Sequence, residues 1–171
     1  MIINSIISLP GDKSISHRSI MLASIARGVS RITNLNDGED LQSTIKAMQS
    51  CGALIKQDKD LIVVTGSSLA NPKEPIDCGN SGTTSRLLTG LLSSQHLSFS
   101  LIGDESLSKR PMNRVIKPLK EMGCIIKSND GLLPLHIDAS KRFNGIDYKM
   151  PIASAQVKSA IILAGLGANN A

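Results

Sequence analysis

At 171 residues the chain has the length of one ordinary domain, and 41% apolar residues can build a core that 2% aromatics oblige to be aliphatic. The formal net charge is +5, yet there is no arginine-rich run and no interleaved aromatic platform to suggest a nucleic-acid surface, which leaves a solvated basic surface or a small anion met by a few lysines and arginines. Cys51, Cys78 and Cys124 are an odd number without C-x-x-C or metal-ligand spacing, so they read as buried reduced thiols. The start, Met1-Ile2-Ile3-Asn4-Ser5, has no basic n-region, and no apolar run approaches the roughly 20 residues that cross a bilayer. A soluble cytoplasmic protein is the expectation.

Residues 2–9 read as a short strand that Pro10-Gly11 breaks. Residues 14–27 read as a helix that Ser14 or Ser16 caps and Gly28 ends. Its part 20–26 is apolar on nearly every side, which predicts burial. Residues 29–33 alternate like a strand. Asp37 or Asp40 then caps a second helix with the stripe Leu41, Ile45 and Met48, and Gly52 ends it. Segments 54–57 and 61–65 form a hairpin around Asp58-Lys59-Asp60.

The same order returns after the joining segment 68–78, which carries Pro72 and Pro75. A buried helix is predicted over 82–94, a strand over 97–102, an amphipathic helix over 111–122 and a hairpin over 124–137 turning at Asp130-Gly131. Pro118 inside that amphipathic helix predicts a kink or a lost hydrogen bond. A third start follows, with a strand over 146–151 and a helix over 154–166. Its second helix and hairpin are missing, so the expectation is a truncated unit with an open apolar face of Ile161, Ile162, Leu163 and Leu166.

The chain therefore repeats itself, and self-similarity fixes architecture before any other signal. Gly11-Asp12-Lys13-Ser14-Ile15-Ser16-His17-Arg18 and Gly79-Asn80-Ser81-Gly82-Thr83-Thr84-Ser85-Arg86 both place Arg seven residues after Gly and run into an apolar helix. Pro151-Ile152-Ala153-Ser154-Ala155-Gln156-Val157-Lys158 does the same with Lys. Ile45/Ile116, Lys46/Lys117, Gly52/Gly123, Ile55/Ile126 and Lys56/Lys127 share one offset of 71 positions. The predicted fold is α/β: repeated βαβαββ units packed in pseudo-threefold fashion around buried parallel helices, with an incomplete third unit.

In each unit the polar cluster sits at the start of the buried helix, where free N–H groups and the helix dipole attract anions. Lys13, Ser14, Ser16 and Arg18 surround the first start, Asn80, Ser81, Gly82, Thr83, Thr84 and Arg86 the second, and Ser154, Gln156 and Lys158 the third. A single Ser at such a place is usually only a cap; three equivalent positions rich in donors and cations predict an anion site. Lys109-Arg110-Pro111 opens the amphipathic helix, with Pro suited to its first turn. Arg110 is then either an exposed arginine or one aimed at a bound carboxylate. Of the three histidines only His17 lies in a cluster, where a structural role is expected.

These segments resemble the EPSP synthase family, the 3-phosphoshikimate 1-carboxyvinyltransferases. The resemblance rests on Leu9-Pro10-Gly11-Asp12-Lys13-Ser14-Ile15-Ser16-His17-Arg18, on Gly79-Asn80-Ser81-Gly82-Thr83-Thr84-Ser85-Arg86, on Lys109-Arg110-Pro111-Met112-Asn113-Arg114-Val115 and on Ala153-Ser154-Ala155-Gln156-Val157-Lys158-Ser159-Ala160. It covers the whole chain and corresponds to the N-terminal portion of a longer family protein. It implies transfer of the enolpyruvyl group of phosphoenolpyruvate to the 5-hydroxyl of shikimate 3-phosphate, with release of phosphate. No metal, organic cofactor, nucleic acid or membrane is implied, and the complete enzyme is expected to be a monomer.

By the resemblance Lys13 is the catalytic residue and touches both substrates. Ser14, Arg18, Ser154 and Gln156 bind shikimate 3-phosphate, with Ala155 where some members carry a second Ser. Asn80, Gly82, Arg110 and Gln156 line the phosphoenolpyruvate side, with Lys13. Residues 1–10 are a strand of a second, missing domain that supplies catalytic carboxylates. Residues 11–171 are the first domain, with unit one at 11–67, unit two at 76–139 and unit three beginning at 146–171. The alternatives are a UDP-N-acetylglucosamine enolpyruvyl transferase, which typically shows Lys-Asn where this chain has Lys13-Ser14, and a non-catalytic anion-binding fragment.

Overall fold

The computed structural model describes residues 9–170. The strand expected at 2–9, and with it the place of 1–10 in a second domain, lies outside the described residues apart from Leu9 and Pro10, which carry no regular structure. Unit one runs α1 (Lys13–Ile25), β1 (Val29–Thr33), α2 (Glu39–Ser50), β2 (Leu54–Asp58) and β3 (Leu61–Thr65), with antiparallel strands in the order β1-β3-β2. Unit two runs β4 (Ile76–Asp77), α3 (Gly82–Ser94), β5 (Ser98–Ile102), α4 (Glu105–Ser108), α5 (Asn113–Met122), β6 (Ile125–Asn129) and β7 (Leu132–Asp138). Its sheet has the order β4-β5-β7-β6, with β4 parallel to β5 and the rest antiparallel. Of unit three, α6 (Ala155–Gly165) is formed. The α/β class and the repeated units agree with the sequence.

The offset pairs occupy equivalent places for a physical reason. Ile45 and Ile116 are buried on α2 and α5, Ile55 and Ile126 are buried on the first hairpin strands, and the four lysines beside them are exposed. Gly52 (φ 93°) and Gly123 (φ 113°) follow the two helices in the left-handed region, which a side chain would strain. The hairpin turn at Asp130 (φ 49°) and Gly131 (φ 78°) also needs positive φ at both residues.

Five expectations are corrected. Asp12, not Ser14 or Ser16, caps α1: its backbone is extended and its Oδ1 accepts from Ile15 N at 2.7 Å. Neither Asp37 nor Asp40 caps α2; its N-cap Gly38 makes no side-chain cap bond, and Asn36 Oδ1 accepts from Gly38 N at 3.0 Å in the loop before it. Helix α1 is buried on one side only, with Ile15 58% and Leu22 43% exposed, because it lies against α2 and the β1–β3 sheet and presents its other flank outward. The strand expected at 146–151 is not formed; among the described residues no strand runs beside it, and Pro151 has no N–H to give a ladder. Finally, α5 begins at Asn113 rather than Pro111, and the short α4 precedes it. Helix α5 runs through the buried Pro118, which has no N–H for the bond back along the helix.

The most enclosed element is α3, where only Thr83 and Arg86 escape burial. Leu87, Leu88, Leu91 and Leu92 centre an aliphatic core with Ile20, Met21, Leu41, Met48, Leu101 and Leu119. Helix α6 lies parallel to α3. Gln156 meets Thr83 at the two starts, a Cβ on Gly90 would run into the backbone of Ala160 at mid-length, and one on Gly167 into the backbone of Ser94 at the ends. Leu163 turns inward against the core, whereas Ile162 (61%) and Leu166 (59%) form the exposed apolar face. The three cysteines are buried, and burial pushes the Cys78 thiol up to about 12. Among the described residues no helix is long and apolar enough to cross a membrane.

Candidate anion-binding site at the helix starts

Lys13 is the first residue of α1, and its ammonium pairs with the carboxylate of Asp40 in the first turn of α2. Its side chain stays 53% exposed. Ser14 is exposed beside it, released from capping by Asp12. Arg18 is half-buried about one turn further on, with no ion pair or hydrogen bond among the described residues. On the inner side of that turn, His17 Nδ1 lies 2.7 Å from Thr44 Oγ1, and Thr44 Oγ1 lies 2.7 Å from Thr84 Oγ1. Thr84 Oγ1 is 2.7 Å from Ser81 Oγ and donates to Asp40 O at 3.2 Å.

This buried polar chain ties the starts of α1, α2 and α3 together. Burial pushes His17 down to about 4, with Lys13 and Arg18 adding and Asp40 opposing, so the ring is neutral near neutral pH. Among the described residues its buried Nε2 has no partner. With the proton placed on Nδ1, the chain runs His17 to Thr44 to Thr84 to Asp40 O without conflict, and only an acceptor lone pair goes unused.

At the second start Ser81 caps α3 by accepting from Thr84 N at 3.1 Å. A Cβ on Gly82 would lie 2.5 Å from Arg86 Nη1, so a side chain there would displace that guanidinium. That guanidinium crosses the glycine to donate to Gly82 O (3.2 Å), Gln156 Oε1 (3.1 Å) and Pro111 O (3.3 Å). Burial first, then the charges of Arg110 and Arg114, lower its affinity for its proton. The other end of the Gln156 amide donates to Thr83 Oγ1 at 2.9 Å. Arg110 donates to Asn80 Oδ1 (2.5 Å), Asn80 O (3.3 Å) and Ser106 Oγ (3.1 Å). It follows α4 and lies three residues before α5, so it does not occupy the α5 start that the sequence suggested. Ser154 caps α6 by accepting from Val157 N at 3.4 Å, with Ala155 exposed after it.

The structure thus joins Gln156 to the α3 start through Arg86, and Asn80 to Arg110. No direct bond joins Lys13, Ser14 or Arg18 to Arg110, Ser154 or Gln156; the α1 start reaches α3 through the buried His17–Thr44–Thr84 chain. Asp40 and Asp104 are residues to which the sequence assigns no part in the site, and Arg86 enters only as a member of the second cluster. For Arg86 a signal existed, its equivalence to Arg18 in the repeat; for the two aspartates there was none. Two arginines flank Gly82 and are met mainly by neutral oxygens, which leaves their charge for an anion. Among the described residues no group of three His, Cys, Asp or Glu could hold a metal ion.

A family model described as EPSP synthase (3-phosphoshikimate 1-carboxyvinyltransferase) matches residues 2–171. The chain belongs to the EPSP synthase family. It is 52% identical over 163 residues to the 3-phosphoshikimate 1-carboxyvinyltransferase of Ruthia magnifica subsp. Calyptogena magnifica, covering 94% of this chain and 38% of that protein. The namesake of Leuconostoc citreum (strain KM20) is 50% identical over 166 residues, again 38% of that protein. A solved EPSP synthase from Acinetobacter baumannii superposes with a TM-score of 0.90 at 44% identity, over 95% of this chain and 38% of that one. The chain therefore spans less than half the length of these EPSP synthase relatives.

Proposed function

We propose that this chain forms the shikimate 3-phosphate-binding part of an EPSP synthase. The reaction moves the enolpyruvyl group of phosphoenolpyruvate onto the 5-hydroxyl oxygen of shikimate 3-phosphate, and the C–O bond to phosphate breaks. The observation that carries this reading is the α3 start: Arg86 and Arg110 flank Gly82 and are oriented mainly by neutral oxygens, with Gln156 bridging from α6. Arg110, Asn80 and Gly82 receive the phosphoenolpyruvate carboxylate and phosphate. Ser14 and Arg18 from α1, with Ser154 and Gln156 from α6, receive shikimate 3-phosphate. Lys13 touches both substrates and stabilises or moves the proton as charge develops.

In this reading residues 11–171 are the first domain, divided into units at 11–67, 76–139 and 146–171, and the complete enzyme has a second domain. That second domain supplies the carboxylates that act on the reacting centre, and its closure excludes water. The enzyme works as a cytoplasmic monomer without nucleic acid or membrane.

The test joins this chain to the C-terminal part of a family relative and measures phosphate release with both substrates. Turnover that needs shikimate 3-phosphate, together with silence of the 171-residue chain by itself, is the expected result. Turnover with UDP-N-acetylglucosamine in its place moves the chain to the other enolpyruvyl transferases. Ligand binding without turnover leaves only an anion-binding module.

A further inference from the structure

The amide of Asn80 can present either end to its surroundings, and Arg110 depends on which end it presents. In the structure Asn80 Nδ2 donates to Asp104 Oδ2 at 2.7 Å. A carboxylate only accepts, so the Asn80 oxygen must face the opposite way, where Arg110 Nη2 donates to it at 2.5 Å. Asp104 is itself held twice: its Oδ1 accepts from Leu107 N at 2.7 Å as the cap of α4, and its N–H donates to Gly79 O at 3.0 Å. These hydrogen bonds, from Leu107 first and Asn80 second, hold its carboxyl below the usual range, so it is ionised. No hydrogen bond or ion pair joins Asp104 to Arg110; the guanidinium bonds to Asn80 and to Ser106.

We propose that Asp104 is a positioning residue: its carboxylate sets the orientation of the Asn80 amide and, through that oxygen, aims the Arg110 guanidinium without neutralising it. The inference rests on the reading that Arg110 receives phosphoenolpyruvate. A carboxylate placed directly on Arg110 would cancel the charge that draws the ligand, whereas a neutral amide between them fixes direction and leaves the charge in place. Asp104→Asn keeps the size of the side chain but removes one of two acceptors, so the α4 cap and Asn80 then compete for a single oxygen. Asp104→Glu keeps both acceptors.

The experiment uses the joined two-part enzyme, with phosphoenolpyruvate as the probe at saturating shikimate 3-phosphate. Asp104→Asn is expected to raise KM for phosphoenolpyruvate about tenfold, the loss of one hydrogen bond to a charged group, with the affinity for shikimate 3-phosphate unchanged and partial rescue by Asp104→Glu. In an Arg110→Ala background, Asp104→Asn is expected to add less than about twofold, because both act through one contact. A second readout does not use activity: guanidinium resonances in NMR should show slow rotation of Arg110 in the parent enzyme and faster rotation in Asp104→Asn. Unchanged KM with unchanged rotation overturns the proposal, as does full additivity of the two substitutions. If Arg110→Ala leaves phosphoenolpyruvate affinity untouched, the functional reading fails, and the rotation measurement alone decides the role of Asp104.

Discussion

Units one and two share a backbone plan, and Lys13 of the first and Arg110 of the second are held in opposite ways. In unit one the Lys13 ammonium meets the Asp40 carboxylate directly. In unit two Arg110 is turned toward the amide and carbonyl oxygens of Asn80, with Asp104 one step behind, and Arg86 is held by three neutral oxygens. The repeated scaffold thus carries different electrostatics in its two copies. The contrast belongs to Lys13 and Arg110: the first is paired with a carboxylate, and the second is held by neutral oxygens with its carboxylate one residue removed. Burial differs in the same sense: α3 is enclosed almost all round, whereas α1 leaves Leu22 on its outer flank.

The burial contrast gives the largest expected effect. Leu91→Ala, in the fully enclosed α3, should cost about 2–5 kcal/mol of stability, and Leu22→Ala should stay within about 0.5 kcal/mol. Urea unfolding of both variants checks it, and equal losses would mean that α1 is as enclosed as α3. The next effect belongs to His17. Its folded value of about 4 lies below the ordinary 6.5, so the unfolded chain takes up a proton first as pH falls. Stability present above pH 6.5 should therefore be lost between about pH 6.5 and pH 4, by an amount of order 3 kcal/mol. His17→Gln should flatten that slope in chemical unfolding across the window; an unchanged slope would assign the pH dependence to other groups.

The charge contrast gives the smaller effects. In the joined enzyme, Lys13→Met should lose at least about 10²-fold in turnover with little change in melting temperature. Arg18→Ala should weaken shikimate 3-phosphate binding by about tenfold or more in calorimetry, and an unchanged dissociation constant would remove Arg18 from the site. Asp40→Asn separates the units most finely. It breaks a half-exposed ion pair and leaves Lys13 charged, so phosphoenolpyruvate affinity should change by less than about fivefold. A loss as large as that expected for Asp104→Asn would erase the distinction between the units.

Much of the fold is legible in the amino-acid sequence. Helices α1, α2, α3, α5 and α6 and both hairpins follow from periodicity and from the repeat, because a buried stripe and a left-handed glycine leave the same marks twice. Caps are less legible. Choosing Asp12 over Ser14 or Ser16 depends on which residue has extended backbone where the helix begins, and composition does not show that. Helix α4 is too short to show a period, and the alternation at 146–151 mimics a strand without a neighbour to pair with. In the site, Lys13, Asn80, Gly82, Arg110 and Gln156 stand in motifs that can be read locally. Asp40 and Asp104 act across the fold on residues far from them in sequence, so only tertiary structure brings them to notice.

The seam between α3 and α6 has one more consequence. Gly90 lies on the backbone of Ala160 and Gly167 on that of Ser94, with no room for a side chain between the two rods at these two points. Their spacing is a main-chain stop, indifferent to which leucine or isoleucine fills the core elsewhere. Substitutions can then accumulate through the aliphatic interior while the gap between Gln156 and Thr83 keeps its width. A methyl group added at Gly90 would act as a shim, prising the rods apart at mid-length and tilting the start of one away from that of the other. The tolerance of the helix starts to drift is thus set about one helical turn from Arg86 on α3 and from Gln156 on α6.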